Sequence, residues 1–358
     1  MQGVSLGVLS KPSKSPLLHI GVRKAASTFL QSWFANHDGV SYTTRRDLVE
    51  EALRRVLPAD VLSEVLGESR VNRAYRPRRE SGRTPVISNE HFAMFAYGTE
   101  LMTPDQILGV LKAGRDVLAE TYPDARILMV TRAPAKWVVS AYNQHIRWPS
   151  RTSSFPAFVR KHVHYFRVNL NYRLIRDLYA EAFGADRVLV LPQEMLRDNQ
   201  AGFLGAIESF AGIEGEVEEA FDFLPKNASF SDAETEKLRM LRTVLRTLES
   251  GSPRRSELNE FREKVLAGQR DIDQFLGDAV ACYATNPNPQ VERVLRVMFR
   301  GLPEPSAKAL DRTVPADLLA EFAEGCQFLT DRPEYQLYAR SYFGEAAQVA
   351  DVTADAAS

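Results

Sequence analysis

The chain has little of several features that would assign it to a narrow class of protein. Only two of its 358 residues are cysteines, Cys282 and Cys326, and their wide separation favours buried thiols over a disulfide or a zinc site. The formal net charge is -1, so the chain as a whole has no attraction for nucleic acid. No uncharged apolar run reaches the length of a signal peptide or a membrane span. These absences predict a cytoplasmic protein with no membrane span, no nucleic-acid partner and no bound metal.

The composition that remains is that of a globular protein, with 44% hydrophobic and 25% charged residues. The stretch from Leu17 to Leu30 predicts a strand, a tight turn and a helix start, because a short apolar run stops at Gly21 and apolar residues then recur at helical spacing. Residues 25–28 would open the helix, where unpaired amides and the positive dipole end favour an anion. The side chains that add donors are Lys24, Ser27 and Thr28. The sequence therefore predicts a phosphate-type pocket.

A second glycine is missing from this loop. A Walker A loop carries two glycines before its lysine, whereas here Gly21 alone precedes Lys24, by three residues. An ordinary strand-to-helix turn can contain the same residue types, so the loop alone leaves both interpretations open.

Two further strands end in residues that carry chemistry. In the stretch from Thr84 to Phe92 the apolar residues give way to Asn89, Glu90 and His91. If this strand is parallel to the first, its carboxyl end lies at the same edge of the sheet. Glu90 could then accept a proton from an acceptor hydroxyl. The alternative is a first-turn glutamate that satisfies a helix dipole.

The third strand end carries an arginine. A capping box with proline at the first helical position predicts a helix from about Pro104 to Glu120. The apolar strand after it ends at Arg132, and Pro134 then opens a helix that contains Ser140. Six residues of helix span about 9 Å, so Arg132 and Ser140 can hold one anion between them.

Two patterns resemble motifs of sulfotransferases that use PAPS, 3′-phosphoadenosine 5′-phosphosulfate. The first, which starts at Gly21, is G-x-x-K-x-x-S-T-x-L and resembles their 5′-phosphosulfate motif. The second, which starts at Arg132, is R-x-P-x-x-x-x-x-S-x-Y and resembles their 3′-phosphate motif. The strand that ends at Glu90 resembles the segment that supplies the base in carbohydrate sulfotransferases, including bacterial members. The resemblance covers about the first two-thirds of the chain. It implies a P-loop-like three-layer α/β sandwich with a central parallel sheet, PAPS as donor, PAP as product and no metal. The cofactor-binding residues that it implies are Arg23, Lys24, Ala25, Ala26, Ser27, Thr28, Arg132 and Ser140, and the catalytic ones are Glu90, Lys24 and His91.

The resulting hypothesis is in-line transfer of a sulfuryl group from PAPS to an acceptor hydroxyl, on a glycan or glycolipid, with a phenol, a tyrosine side chain or a small natural product as open alternatives. A P-loop NTP-dependent kinase and a non-catalytic nucleotide-binding scaffold also remain open. We expect a core in residues 1–230, a helical extension packed on it in 231–345 and a frayed tail in 346–358. The arginine-dense residues 70–83 form either a solvated loop or a basic flap over an anion. The oligomeric state, a homodimer included, is left open.

Overall fold

The computed structural model describes residues 14–62, 82–94, 102–147, 151–217, 231–249 and 304–343. Apart from residues 82 and 83, the arginine-dense stretch lies outside these ranges, as do the tail 346–358 and Cys282. Cys326 is buried, as predicted. Among the helices of the described residues, none combines the length and the apolar character that crossing a membrane requires.

Five strands in the described residues form one parallel sheet. They are β1 (Leu17–His19), β2 (Val40–Thr43), β3 (Thr84–Ser88), β4 (Arg126–Thr131) and β5 (Val188–Pro192). The order across the sheet is β2-β3-β1-β4-β5, so β1 lies between β3 and β4. In the register, His19 is opposite Ser88 on one side and Leu128 on the other. This sheet confirms the predicted α/β fold with a central parallel sheet.

Helices connect and follow these strands. They are α1 (Ser27–Ala35), α2 (Arg46–Arg54), α3 (Pro104–Thr121), α4 (Pro134–Arg147), α5 (Phe155–Asn169), α6 (Tyr172–Phe183), α7 (Gln193–Asp198), α8 (Gln200–Ala211), α9 (Asp232–Glu249), α10 (Ala307–Leu310), α11 (Ala316–Cys326) and α12 (Pro333–Phe343). The predicted capping box opens α3: the Thr103 hydroxyl accepts from the Gln106 amide, and the Gln106 side chain accepts from the Thr103 amide. These two bonds satisfy amides that an uncapped helix leaves unpaired.

The strand order explains why helices lie on both faces of the sheet. The chain runs from β1 outward to β2 through α1, and then back across the sheet from β2 to β3, β4 and β5. Crossovers between parallel strands are right-handed, so connections that run in opposite directions lie on opposite faces. Helices therefore cover both faces of the sheet. Strand β1 is buried throughout, and β4 is buried except at Arg126, its first residue; Leu17 and Ile127 have no exposed surface.

Strand β2 was not predicted. Its four residues, Val40–Thr43, alternate between buried and half-buried positions at the edge of the sheet. So short a run contains only two buried side chains, Val40 and Tyr42, and gives too little periodicity to distinguish a strand from a loop.

The chain divides into two compact units. Residues 1–134, 162–226 and 316–358 form the unit that contains the sheet. The other comprises residues 135–161 and 227–315. The boundaries expected at residues 230 and 345 remain predictions.

The described part of the second unit contains a buried charge cluster around Glu236. The Glu236 carboxylate is 1% exposed and accepts hydrogen bonds from Arg239 Nε at 2.5 Å and Arg312 Nη2 at 3.2 Å. The Tyr142 hydroxyl donates to the same carboxylate at 3.0 Å, and the Arg312 guanidinium lies 4.7 Å from the centre of the Tyr142 ring. A buried carboxylate needs such partners because desolvation of an unpaired charge is costly.

Candidate active site

The carboxyl ends of three adjacent strands, β3, β1 and β4, carry the residues that the sequence analysis selected. Glu90 follows β3, the loop with Lys24 follows β1, and Arg132 follows β4. The connections that leave β1 and β4 run to opposite faces of the sheet, which makes this the topological switch point where open α/β sheets bind ligands. The expected meeting of these strand ends at one edge of the sheet is therefore confirmed.

The loop after β1 continues along β4 before it turns into the helix. Its Ile20 amide donates to Leu128 O at 3.0 Å, and its Val22 amide donates to Val130 O at 3.2 Å. Lys24 and Ala26 then adopt left-handed backbone conformations, with φ of 65° and 59°. This conformation costs a non-glycine residue roughly 1–3 kcal/mol, and such strain is concentrated at ligand-binding loops.

Helix α1 begins at Ser27, two residues later than predicted, because left-handed Ala26 is its N-cap residue. Ala26 offers no side-chain hydrogen bond to the helix. The Ser27 hydroxyl donates at 3.4 Å to Val22 O, within the loop. The first amides of α1 are thus left without a side-chain cap, which suits an anion at this helix end.

His19 underlies the loop. A Cβ on Gly21 would lie 2.5 Å from His19 Nε2, so a glycine is needed for the chain to pass this ring. The ring is fully buried, with Nδ1 2.7 Å from Ser88 Oγ and Nε2 without a hydrogen-bond partner among the described residues. Burial lowers the pKa of His19 to about 4, with the charge of Glu90 acting in the opposite direction. The ring is therefore neutral at pH 7.

Arg132 contacts the loop directly. Its Nη1 donates to Lys24 O at 2.9 Å, so the arginine fixes the backbone at the residue whose ammonium group is expected to act on the donor. Burial lowers the pKa of Arg132, while the charge of Glu194 acts in the opposite direction. A guanidinium carries five N–H donors and stays protonated in proteins, so this bond leaves capacity for an anion.

Glu90 begins a short 3₁₀ turn, Glu90–Phe92, whose cap is Asn89. Asn89 Oδ1 accepts from the His91 amide at 3.1 Å, which holds the turn at the end of β3. Arg23 Nε lies 3.5 Å from Glu90 Oε1, and the two side chains are 16% and 27% exposed. The loop after β1 and the carboxylate after β3 are therefore linked by an ion pair that solvent still reaches.

His91 lies beside this pair. Burial lowers the pKa of His91 to about 4, the charge of Arg23 acts in the same direction, and that of Glu90 acts against it. The imidazole is neutral at pH 7, but so low a pKa makes it a weak base. In the described residues, no group of three or more histidine, cysteine, aspartate or glutamate side chains could hold a metal ion.

Comparison with models of protein families matches residues 16–219, more than half of the chain, to the model described as the sulfotransferase family. The chain belongs to the sulfotransferase family. Comparison with curated protein sequences gives no match.

Two solved structures resemble this sulfotransferase. The crystal structure of a sulfotransferase from Alicyclobacillus acidocaldarius has 15% sequence identity and a TM-score of 0.42, over 64% of this chain and 93% of that one. The crystal structure of mouse sulfotransferase SULT7A1 complexed with PAP has 14% identity and a TM-score of 0.33, over 61% of this chain and 68% of that one.

Ser140, the second residue of the expected 3′-phosphate pair, lies in α4 of the sulfotransferase, in the unit of residues 135–161 and 227–315. Arg132 belongs to the unit that contains the sheet. The joint role of these two residues remains a prediction from their spacing in the sequence.

Sequence reasoning missed several residues that support the site of the sulfotransferase. The buried Glu194 accepts from the Ala133 amide at 3.2 Å, the Tyr342 hydroxyl donates to Glu194, and the Tyr172 hydroxyl donates to Arg132 O at 2.7 Å. Glu194 lies two residues after the end of β5, and the apolar run of that strand could have indicated its place at a strand end. Nothing in the sequence around Tyr342 connects it with a strand end.

Proposed function

We propose that this sulfotransferase transfers the sulfuryl group of PAPS to a hydroxyl of a glycan or glycolipid. The observation that carries the proposal is the convergence of a cationic loop, a carboxylate and an arginine at the ends of β1, β3 and β4. PAPS, when bound, supplies an activated sulfuryl group whose departure leaves a phosphate. The residues at the site suit such a donor, since the uncapped start of α1 and two cations favour a molecule with two separate anionic ends.

The chain's own residues would bind and orient the donor. Lys24 and the first amides of α1 would hold the 5′ end, and Lys24 would donate a hydrogen bond to the oxygen on which negative charge develops. The residues that accompany Lys24 there are Arg23, Ala25, Ala26, Ser27 and Thr28. Arg132 would hold the 3′-phosphate. Transfer of this kind resembles phosphoryl transfer, in which positioning and charge stabilisation supply most of the catalysis.

Glu90 is the residue that we assign as the base. Its carboxylate accepts the proton of the acceptor hydroxyl, and the ion pair with Arg23 keeps that carboxylate oriented toward the loop. His91 is less suited to the role, because its lowered pKa makes it a weak base. The glycan or glycolipid acceptor is supported by the resemblance of the strand-end Glu90 to carbohydrate sulfotransferases.

Isothermal titration with PAP tests the donor site. The wild type should bind PAP with a micromolar Kd, and Arg132→Ala should bind about tenfold more weakly or worse, because a charge-assisted contact with a phosphate is lost. Arg197→Ala, which removes an exposed arginine paired with Asp198, is the matched control and should bind as the wild type does. No PAP binding by a folded protein would overturn the proposal. Tight Mg-ATP binding with phosphoryl transfer would favour a kinase instead.

Transfer from radiolabelled PAPS to a panel of glycans, glycolipids and phenols tests the chemistry. Glu90→Gln should lower kcat by about a hundredfold or more because the base is removed, and the variant should still bind PAP because the cations of the donor site remain. Glu181→Gln, which neutralises an exposed carboxylate, is the control. A Glu90→Gln enzyme with the kcat of the wild type would exclude Glu90 as the base.

A further inference from the structure

The turn that follows β4 is held by side chains from distant parts of the chain. Both polar groups of the peptide bond between Arg132 and Ala133 are bound by side chains. The carbonyl of Arg132 accepts from the Tyr172 hydroxyl at 2.7 Å, and the amide of Ala133 donates to Glu194 Oε1 at 3.2 Å. Backbone groups at such a turn have no hydrogen-bond partner in a neighbouring strand, so these side chains supply the missing partners. The backbone position of Arg132 consequently depends on α6 and α7.

Glu194 in turn depends on the last described helix. Its Oε2 accepts from the Tyr342 hydroxyl of α12 at 3.0 Å, and the same hydroxyl lies 2.9 Å from Thr131 Oγ1. Since the phenol proton is donated to Glu194, Thr131 is the donor to Tyr342. Glu194 and Tyr342 are 7% and 3% exposed. A carboxylate buried to this extent is sensitive to the loss of any one donor.

The protonation states fit this chain of hydrogen bonds. Burial raises the pKa of Tyr342, with the charge of Glu194 acting in the same direction, so the phenol remains a donor at neutral pH. The Glu194 charge also opposes the effect of burial on the pKa of Arg132. The half-buried Arg132 cation and the buried Glu194 anion thus stabilise each other beside the turn.

We propose that Glu194 and Tyr342 are positioning residues for Arg132, through which α12 controls recognition of the 3′-phosphate. This inference rests on the proposed function, since it takes Arg132 as the residue that binds the 3′-phosphate. The loop with Lys24 accepts one hydrogen bond from Arg132, at Lys24 O, but it is also held to β4 by the backbone bonds of Ile20 and Val22, which do not involve Arg132. A small displacement of Arg132 therefore weakens the 3′-phosphate contact more than the contacts at the 5′ end.

Comparison of PAP with 5′-AMP, which lacks the 3′-phosphate, separates positioning from general stability. Tyr342→Phe removes only the hydroxyl, so we expect the Kd for PAP to rise about five- to tenfold and that for AMP to rise less than about twofold. Tyr335→Phe is the matched control: Tyr335 is a buried tyrosine of the same helix, and its hydroxyl lies 3.5 Å from Arg332. It should leave both Kd values unchanged.

A double-mutant cycle strengthens the test. In the Arg132→Ala background, Tyr342→Phe should have no further effect on the Kd for PAP, because the residue through which it acts is gone. Thermal unfolding of each variant shows whether it is folded. If Tyr342→Phe does not fold, Glu194→Gln takes its place. In the glutamine one of the two acceptor oxygens is replaced by an NH2 group, which cannot accept, so either the Ala133 amide or the Tyr342 hydroxyl loses its partner. A selective loss of PAP affinity is therefore expected there as well.

The outcomes distinguish this inference from the proposed function. A wild type that fails to prefer PAP over AMP, or an Arg132→Ala variant that keeps the preference, overturns the proposed 3′-phosphate site and the inference with it. If Arg132→Ala loses the preference but a folded Tyr342→Phe variant keeps it, only the positioning role is overturned. Equal losses for PAP and AMP, or a persistent effect of Tyr342→Phe without Arg132, also overturn that role.

Discussion

Acidification should destabilise this protein through the buried His19. Its pKa is lowered by burial from 6.5 to about 4 in the folded protein. Between these two values the unfolded chain binds a proton at His19 and the folded chain does not, so a fall in pH favours unfolding. The stability that the neutral ring contributes is present above about pH 6.5 and is lost progressively as the pH falls toward 4.

The size of the effect follows from linkage. One pKa unit corresponds to about 1.4 kcal/mol, and the part of the shift that acts between pH 7 and pH 5 amounts to about 2 kcal/mol in the free energy of unfolding. His19 has no exposed surface, so screening by solvent does not reduce this value. His91, whose pKa is also lowered to about 4, adds to the loss in the same pH range.

Urea unfolding at pH 7 and at pH 5, followed by circular dichroism, measures this loss. His19→Asn retains a polar group near Ser88 but cannot titrate, so its loss between the two pH values should be about 2 kcal/mol smaller than that of the wild type. The contribution of His91 is common to both proteins and cancels. His164→Asn, which removes an exposed histidine of α5, controls for the substitution itself. Equal losses in the wild type and in His19→Asn would refute the reasoning.

Three further substitutions test the packing at two glycines and the buried charge cluster around Glu236. Gly21→Ala should lower the free energy of unfolding by about 1–3 kcal/mol, because its Cβ meets the buried ring of His19. Gly205→Ala in α8, where a Cβ meets nothing within 4 Å, should raise the free energy of unfolding by up to about 1 kcal/mol. Urea unfolding measures both changes, and a Gly205→Ala variant that is less stable than the Gly21→Ala variant would contradict this account. Glu236→Gln should destabilise by about 3–5 kcal/mol because two arginines lose their buried partner, and unchanged thermal unfolding would show that the cluster is not a stabilising one.

The elements that were predicted correctly are those with a local cause. The apolar run before Gly21 and the buried run before Arg132 are strands, as their composition indicated, because a strand covered on both faces needs apolar side chains throughout. Helix α3 begins where its capping box predicts, because the two bonds of that box involve residues only three positions apart. Strand β2 was not predicted because its stability comes from pairing with β3 and not from its own hydrophobic pattern.

The grouping of the three candidate residues at one edge of the sheet was also predicted, whereas their roles remain proposals. Lys24, Glu90 and Arg132 each follow a strand signal, and parallel strands bring their carboxyl ends to one edge, so the sequence already grouped these residues. The Arg23 to Glu90 ion pair and the bond from Arg132 to Lys24 O depend on which strands are neighbours. Strand order is a property of the packed sheet, and no local pattern encodes it.

By itself, the sequence determined the fold class, the three strand ends with their chemistry and the relation to a family of enzymes, since periodicity, capping and short motifs act within a few residues. Only the tertiary structure decided that β1 lies between β3 and β4, that His19 is buried beneath Gly21, and that Tyr342 bonds to Thr131 across 211 residues of chain. The physical reason is that burial and hydrogen bonding of polar groups depend on every element that packs around them.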